Sequence, residues 1–378
     1  MLLQTNKRSP SLSLMIRLLS ICWLATKLLC YKLWLSNRLF PLVPVHDSLL
    51  NIPPAIHLIL FMATLAALAA LAALPSKKWI VVVLIVTEIA SCLLDENRWQ
   101  PWEYQFTFMM MAYALFTDER RIKTSWQVIF IGVYFFSGLN KLNPGFIMQV
   151  WHSRIMNQWL GITLHNAWAY RLGYILPLFE MAGALALLFT QTRKIGVIML
   201  GTMHLFILTM LGPLGLHFLN VIWPWNVVML CLLIGLFYKD SFSFGQLKFR
   251  QIFTWIVVAC WWVLPWLHLV GLWDSYFSSS LYSGKTQYLY VCTSNVKTKE
   301  LLKENFIHTT NSQPCDSLLS VFRWSMRELN TSPNPELRVY KKIVARWKEK
   351  MDSAGNDKYF IHFPKFSKAA WVQLPPGK

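Results

Sequence analysis

The chain has 378 residues, of which 55% are hydrophobic, 15% aromatic and only 14% charged, with a formal net charge of +18. Soluble domains carry about 25% charged residues, so this composition excludes an ordinary soluble enzyme and places the chain in the membrane class. The positive excess outside the tail sits mostly in short connections, which suits membrane topology and anionic headgroups and leaves no role for nucleic acid as a partner.

In chain order, apolar segments fall at about 13–35, 54–74, 79–94, 102–116, 126–142, 168–190, 195–213, 220–238 and 251–272. A crossing helix needs roughly 20 residues, so these predict about nine transmembrane helices, several of them short. Lys7-Arg8 precede the first segment without a small-residue cleavage site, and Arg17, Lys27 and Lys32 interrupt it, which predicts a retained and rather polar first helix. With a cytoplasmic N-terminus, the connections 75–78, 117–125, 191–194 and 239–250 hold ten Lys/Arg. Those at 36–53, 95–101, 143–167 and 214–219 hold three, Arg38, Arg98 and Arg154. Positive charge marks the inner side, so residues 273–378 are expected outside the cytoplasm.

The expected architecture is an all-α polytopic membrane bundle over 1–272, in a cell inner or plasma membrane, followed by a small α+β extracytoplasmic domain over 273–378. In that tail, 286–292 (TQYLYVC) and 358–363 (KYFIHF) read as strands. Pro335 opens a helical pattern over 335–351, with Leu337, Tyr340, Val344, Trp347 and Met351 on one face. Cys292 and Cys315 are the only tail cysteines. In an oxidising compartment they form a disulfide or remain two buried thiols. The seven cysteines show no CxxC and no zinc-like spacing, so no metal site is expected.

Ionisable groups at bilayer depth are rare and functional by default. Glu88, Glu180 and His204 sit mid-segment, and Lys141 closes an apolar run in YFFSGLNKLNPGFI. Each has a plainer reading. Lys141 would snorkel to the headgroups, Glu180 and His204 would hydrogen-bond a neighbouring helix, and Glu88 would be structural. The other unusual polar sequence collects in LDENRWQPWEYQ (94–105), SGLNKLNPGF with QVWHSRI (137–155), LGPLGLHFLN (211–220) and VIWPWN (221–226). All of it belongs to one side of the membrane, so a cavity opening outward is expected. Lys141, Glu180 and His204 would form its floor, with Asp95, Trp99, Tyr104, His152, Trp223 and Asn226 near its mouth.

DENRWQPWEYQF, YFFSGLNKLNPGF, the glutamate of LPLFEMAG and the MH of the next helix together resemble the HTTM domain. That is the transmembrane domain of vitamin K-dependent gamma-carboxylases and their bacterial relatives, and the resemblance runs over about residues 10–285. DoxX-like membrane redox proteins are more distantly similar. The resemblance implies a reduced quinone as cofactor and Lys141 as the base that takes its proton, with Glu180 and His204 relaying protons. This chain departs from the family where Trp102 stands at the place of a functional histidine, and its tail is far shorter than the animal enzyme's lumenal part. Fold and a quinone- or lipid-like ligand therefore carry over more directly than a carboxylase or oxidoreductase reaction. The alternative is a non-enzymatic scaffold or redox-partner subunit whose basic tail docks an extracytoplasmic protein. Transport ranks lower, because the halves show no inverted repeat.

Overall fold

Where water is absent, a backbone satisfies its own polar groups within the segment, and the helix is the way to do so. The computed structural model describes residues 10–240, 242, 247, 251–308, 315, 317–351, 357–363 and 370–374, and it is mostly helical. Each of the nine apolar segments forms a helix: α1 (Pro10–Leu29), α2 (Pro54–Ala73), α3 (Lys78–Leu93), α4 (Pro101–Leu115), α5 (Glu119–Lys141), α6 (Ile175–Ala186), α7 (Arg193–Leu211), α8 (Ile222–Phe237) and α9 (Ile252–His268). Three stretches, Ser11–Leu29, Pro54–Ala73 and Arg193–Leu211, are long and apolar enough to cross a membrane. The rest are shorter or carry more polar residues, so the length criterion alone does not return nine crossings. Lys7-Arg8 and most of the basic connection 239–250 lie outside the described residues.

Two boundaries differ from expectation for local reasons. Helix α5 starts at Glu119, earlier than its apolar run, because the Asp118 carboxylate accepts the Arg120 N–H and caps it. The segment 143–167, read only as an outer connection, contains a wide-turn helix of π type at Ile147–Trp159.

Helices α1 to α8 pack each against its predecessor, and α8 returns to α1, closing a ring. Helix α9 lies outside this ring against α5. The α5–α6 contact is close because Gly138 has no side chain: a Cβ there would sit 2.7 Å from the Pro177 carbonyl oxygen. That approach sets Lys141 on α5 opposite Glu180 on α6.

The tail is a five-stranded antiparallel sheet in the order β2-β3-β1-β4-β5, with β1 (Tyr288–Cys292), β2 (Phe306–His308), β3 (Ser317–Ser320), β4 (Lys358–Phe363) and β5 (Ala370–Leu374). The two strands read from sequence are central neighbours, with Leu289 opposite Ile361. The tail also holds a short helix at Val296–Leu301 and two longer ones, α10 (Val321–Leu329) and α11 (Leu337–Met351). On α11, Tyr340, Ile343, Val344 and Trp347 are each about 1% exposed, whereas Leu337, expected on the same face, is 36% exposed at the frayed first turn. Burying each such side chain stabilises by about 1.5–3 kcal/mol. Cys292 and Cys315 are joined by a disulfide.

The tail does not hang free. It packs on the end of the ring formed by the close of α1, the α3–α4 connection and the close of α5. Arg338 and Lys342 of α11 both pair with Glu96, at 2.8 and 2.7 Å. Gln100 donates to the Ser332 carbonyl at 2.9 Å, and the Asn334 N–H donates to Asn97 Oδ1 at 3.0 Å.

Candidate functional site

A cavity of about 340 Å³ opens between α5, α6, α7 and α8 at the tail end of the ring. Its lining is overwhelmingly apolar, and the polar exceptions come from separate helices. Tyr134, Ser137 and Lys141 project into it from α5, one and two helical turns apart on a single face. The Lys141 ammonium donates to Glu180 Oε2 at 2.6 Å and to Ser137 Oγ at 2.7 Å. The Lys141 side chain is 16% exposed and that of Glu180 5%, so this is an ion pair on the cavity wall.

A second polar chain runs along the same cavity. Asn226 Nδ2 donates to the Ile222 carbonyl at 2.9 Å, which turns Oδ1 toward His204. Because an amide oxygen only accepts, the 2.8 Å contact to His204 Nδ1 puts a hydrogen on that nitrogen. Nε2 is then left to accept from the Tyr134 hydroxyl at 2.7 Å. The tautomer is thus assigned from the hydrogen bonds. Four of the residues singled out in the sequence, Lys141, Glu180, His204 and Asn226, meet at one cavity. Tyr134 and Ser137 were missed, although their spacing from Lys141 on an apolar helix was visible.

The remaining expected cavity residues lie elsewhere, each for a physical reason. Asp95 is fully buried in an ion pair with Arg38, and its other oxygen accepts from the Asn97 and Val43 N–H groups at 3.1 and 3.3 Å. Trp99 packs edge-on against Phe277. Tyr104 is stacked between Trp261 and Phe277, with ring centroids 4.8 and 4.5 Å away. His152 faces Tyr170, and Trp223 donates to the Leu211 carbonyl at 3.0 Å. The motif DENRWQ therefore builds the junction between bundle and tail, and it is not the cavity mouth. Trp102 lies one layer behind the wall, tilted on Trp225 and donating to Glu103 Oε1 at 3.1 Å.

The cavity has a roof supplied by the first residues of the tail. Tyr276, Ser279, Leu281 and Tyr282 line it. The NPG break after α5 exists to seat this segment. Asn140 Nδ2 donates to the Ser278 carbonyl at 2.8 Å and Asn143 Nδ2 to that of Ser283 at 2.7 Å. Gly145 and Gly284 meet backbone to backbone. A Cβ on Gly145 would lie 2.1 Å from the Gly284 carbonyl oxygen, and Gly284 holds φ +73°, a region that glycine occupies without strain. Burial pushes the phenols of Tyr276 and Tyr282 well above their ordinary value, so both stay protonated.

A separate buried polar cluster lies among α1, α3 and α4. Lys27 pairs with Glu88 at 2.6 Å and Glu103 at 3.2 Å. Its ammonium also sits 3.0 Å from the centre of the Trp34 ring. Trp23 donates to Glu103 Oε2 at 2.8 Å. Arg98 is held by the carbonyls of Leu33, Ser91 and Trp34 at 3.0, 2.9 and 2.9 Å and by His57 Nδ1 at 3.0 Å. Glu88, which looked isolated in its segment, is therefore one member of a buried polar network, held through Oε2 by Lys27. No cluster of metal-ligating side chains occurs among the described residues.

No protein-family model, curated protein or solved structure matches the chain.

Proposed function

We propose that the protein is a nine-crossing integral membrane protein of the HTTM type whose cavity binds a quinone- or lipid-like molecule, with Lys141 as proton acceptor. The observation that carries this reading is the convergence of the Lys141–Glu180 pair and the Tyr134–His204–Asn226 chain on one apolar cavity. Ligand sites are typically concave, apolar and about 300–1,000 Å³, with a few oriented polar groups, and this cavity fits that description. The charge pattern supports a cytoplasmic N-terminus and an extracytoplasmic tail. The connections remote from the tail are basic, whereas Arg38 and Arg98 at the tail end are consumed by internal partners.

When bound, a reduced quinone would supply a weakly acidic ring hydroxyl on an apolar body. Lys141 Nζ passes a proton to Glu180 Oε2 across their 2.6 Å hydrogen bond, giving a neutral amine beside a neutral carboxylic acid. With its proton on Glu180, the Lys141 amine would be able to accept a ring-hydroxyl proton and return to an ammonium. The Tyr134 hydroxyl, donating to His204 Nε2, keeps its oxygen as a second acceptor at the same wall.

Native mass spectrometry of protein purified in mild detergent, wild type beside Lys141→Ala, tests the reading. The expected result is a co-purifying quinone or isoprenoid lipid that is lost or weakened in the variant, with membrane insertion unchanged. Bulk phospholipid alone in both proteins would return Lys141 to a structural ion pair and move the search for function to the tail.

A further inference from the structure

The cations buried in this bundle have partners, whereas the half-buried Arg154 on the cavity wall has no acidic one among the described residues. Lys27 has two glutamates, Arg38 has Asp95, Lys141 has Glu180, and Arg98 is enclosed by carbonyls and a histidine. Arg154, on the wide-turn helix at the tail end of the cavity, lines the cavity and forms no ion pair among the described residues. Its guanidinium lies 4.2 Å from the centre of the Phe218 ring, and the ionisable groups that act on it are phenols, Tyr282 and Tyr288. A guanidinium stacked on a ring keeps its in-plane N–H donors free, and those donors match a carboxylate or phosphate in two-pronged fashion.

The backbone around Arg154 is strained. Leu219, Ser279 and Tyr282 all line the cavity, and they hold φ values of +56°, +55° and +54°, which side-chain-bearing residues rarely adopt. Strain of this kind concentrates at ligand clamps. An apolar slot leads away from this end. Helices α6 and α7 are tight at the far end, where a Cβ on Gly196 would lie 2.8 Å from the Gly183 carbonyl oxygen. Toward the tail, Leu176 and Phe179 of α6 and Phe206 and Ile207 of α7 line the cavity.

We infer that Arg154 is the headgroup site for an anionic amphiphile: the guanidinium holds a carboxylate or phosphate, and the apolar chain lies in the slot between α6 and α7. This rests on the cavity being a ligand site and adds the charge class of the ligand. The test titrates the full-length protein in neutral detergent with oleate, methyl oleate, inorganic phosphate and a short-chain ubiquinone, following the fluorescence of the wall tryptophans Trp225 and Trp261. Oleate is expected to bind about tenfold or more tightly than its methyl ester, as a charge-assisted hydrogen bond implies. Arg154→Gln should abolish that difference while leaving the ester unchanged, and Arg154→Lys should restore part of it. Equal binding of acid and ester to the wild type, a comparison that needs no variant, would overturn the inference. So would inorganic phosphate binding as tightly as oleate. Ubiquinone binding without oleate preference would sink the headgroup site alone, whereas no binding of any apolar probe would sink the cavity reading with it.

Discussion

Lys27 and Lys141 each face a glutamate at 2.6 Å, yet their settings differ. The Lys27 side chain is 0% exposed, and its loss would leave Glu88 and Glu103 buried together without a cation. Breaking such a buried pair from one side costs about 3–5 kcal/mol. Lys141 lines the cavity with its side chain 16% exposed, so its loss should cost less stability. Lys27→Met is therefore expected to lower the thermal unfolding midpoint in detergent well below that of Lys141→Met. The reverse order would show that Lys141 is the structural pair. At this scale the sequence marked Glu180 and His204 by their rarity in apolar runs, and Asn226 by its place in the stretch VIWPWN. It could not mark Glu103 as the partner of Lys27, because a hydropathy reading penalises each charge separately and sees no contact between α1 and α4.

The roof segment depends on two glycines in contact. Gly284→Ala would place a methyl group 2.2 Å from the Gly145 carbonyl carbon and force an alanine to hold φ +73°. The left-handed conformation alone costs roughly 1–2 kcal/mol, and the overlap adds to it. This variant is expected to loosen residues 276–283 from the α5 end, read as faster hydrogen exchange at Asn140, Asn143 and Ser278. Unchanged exchange would mean that the roof is held by its side-chain hydrogen bonds alone. The helices themselves were legible, since each long apolar run became one, but their ends were set by caps such as Asp118. The wide-turn helix was not legible, because a π-type turn breaks the 3.6-residue period that marks a helix. Strands β2 and β3, of three and four residues, are too short to show alternation.

On the scale of the whole molecule, the tail is part of the bundle's architecture. Glu96, 5% exposed, takes both Arg338 and Lys342, and the acidic motif around it binds the turn before α11. Glu96→Gln is expected to make the tail more susceptible to limited proteolysis without changing helix content by circular dichroism. An unchanged digestion pattern would assign the junction to its neutral hydrogen bonds. The composition showed membrane class and a separate tail, but the tail's role as a roof follows from contacts between residues more than 100 positions apart, such as Asn140 with Ser278. The most direct measurement is photolabelling of the purified protein with a quinone carrying a diazirine, followed by mapping of the labelled peptides. Labels on 134–155, 176–180, 202–211 and 276–282, suppressed by excess unlabelled quinone, are the expected result. Labels spread over the outward apolar residues of α2 and α9, with no competition, would contradict a ligand site at Lys141.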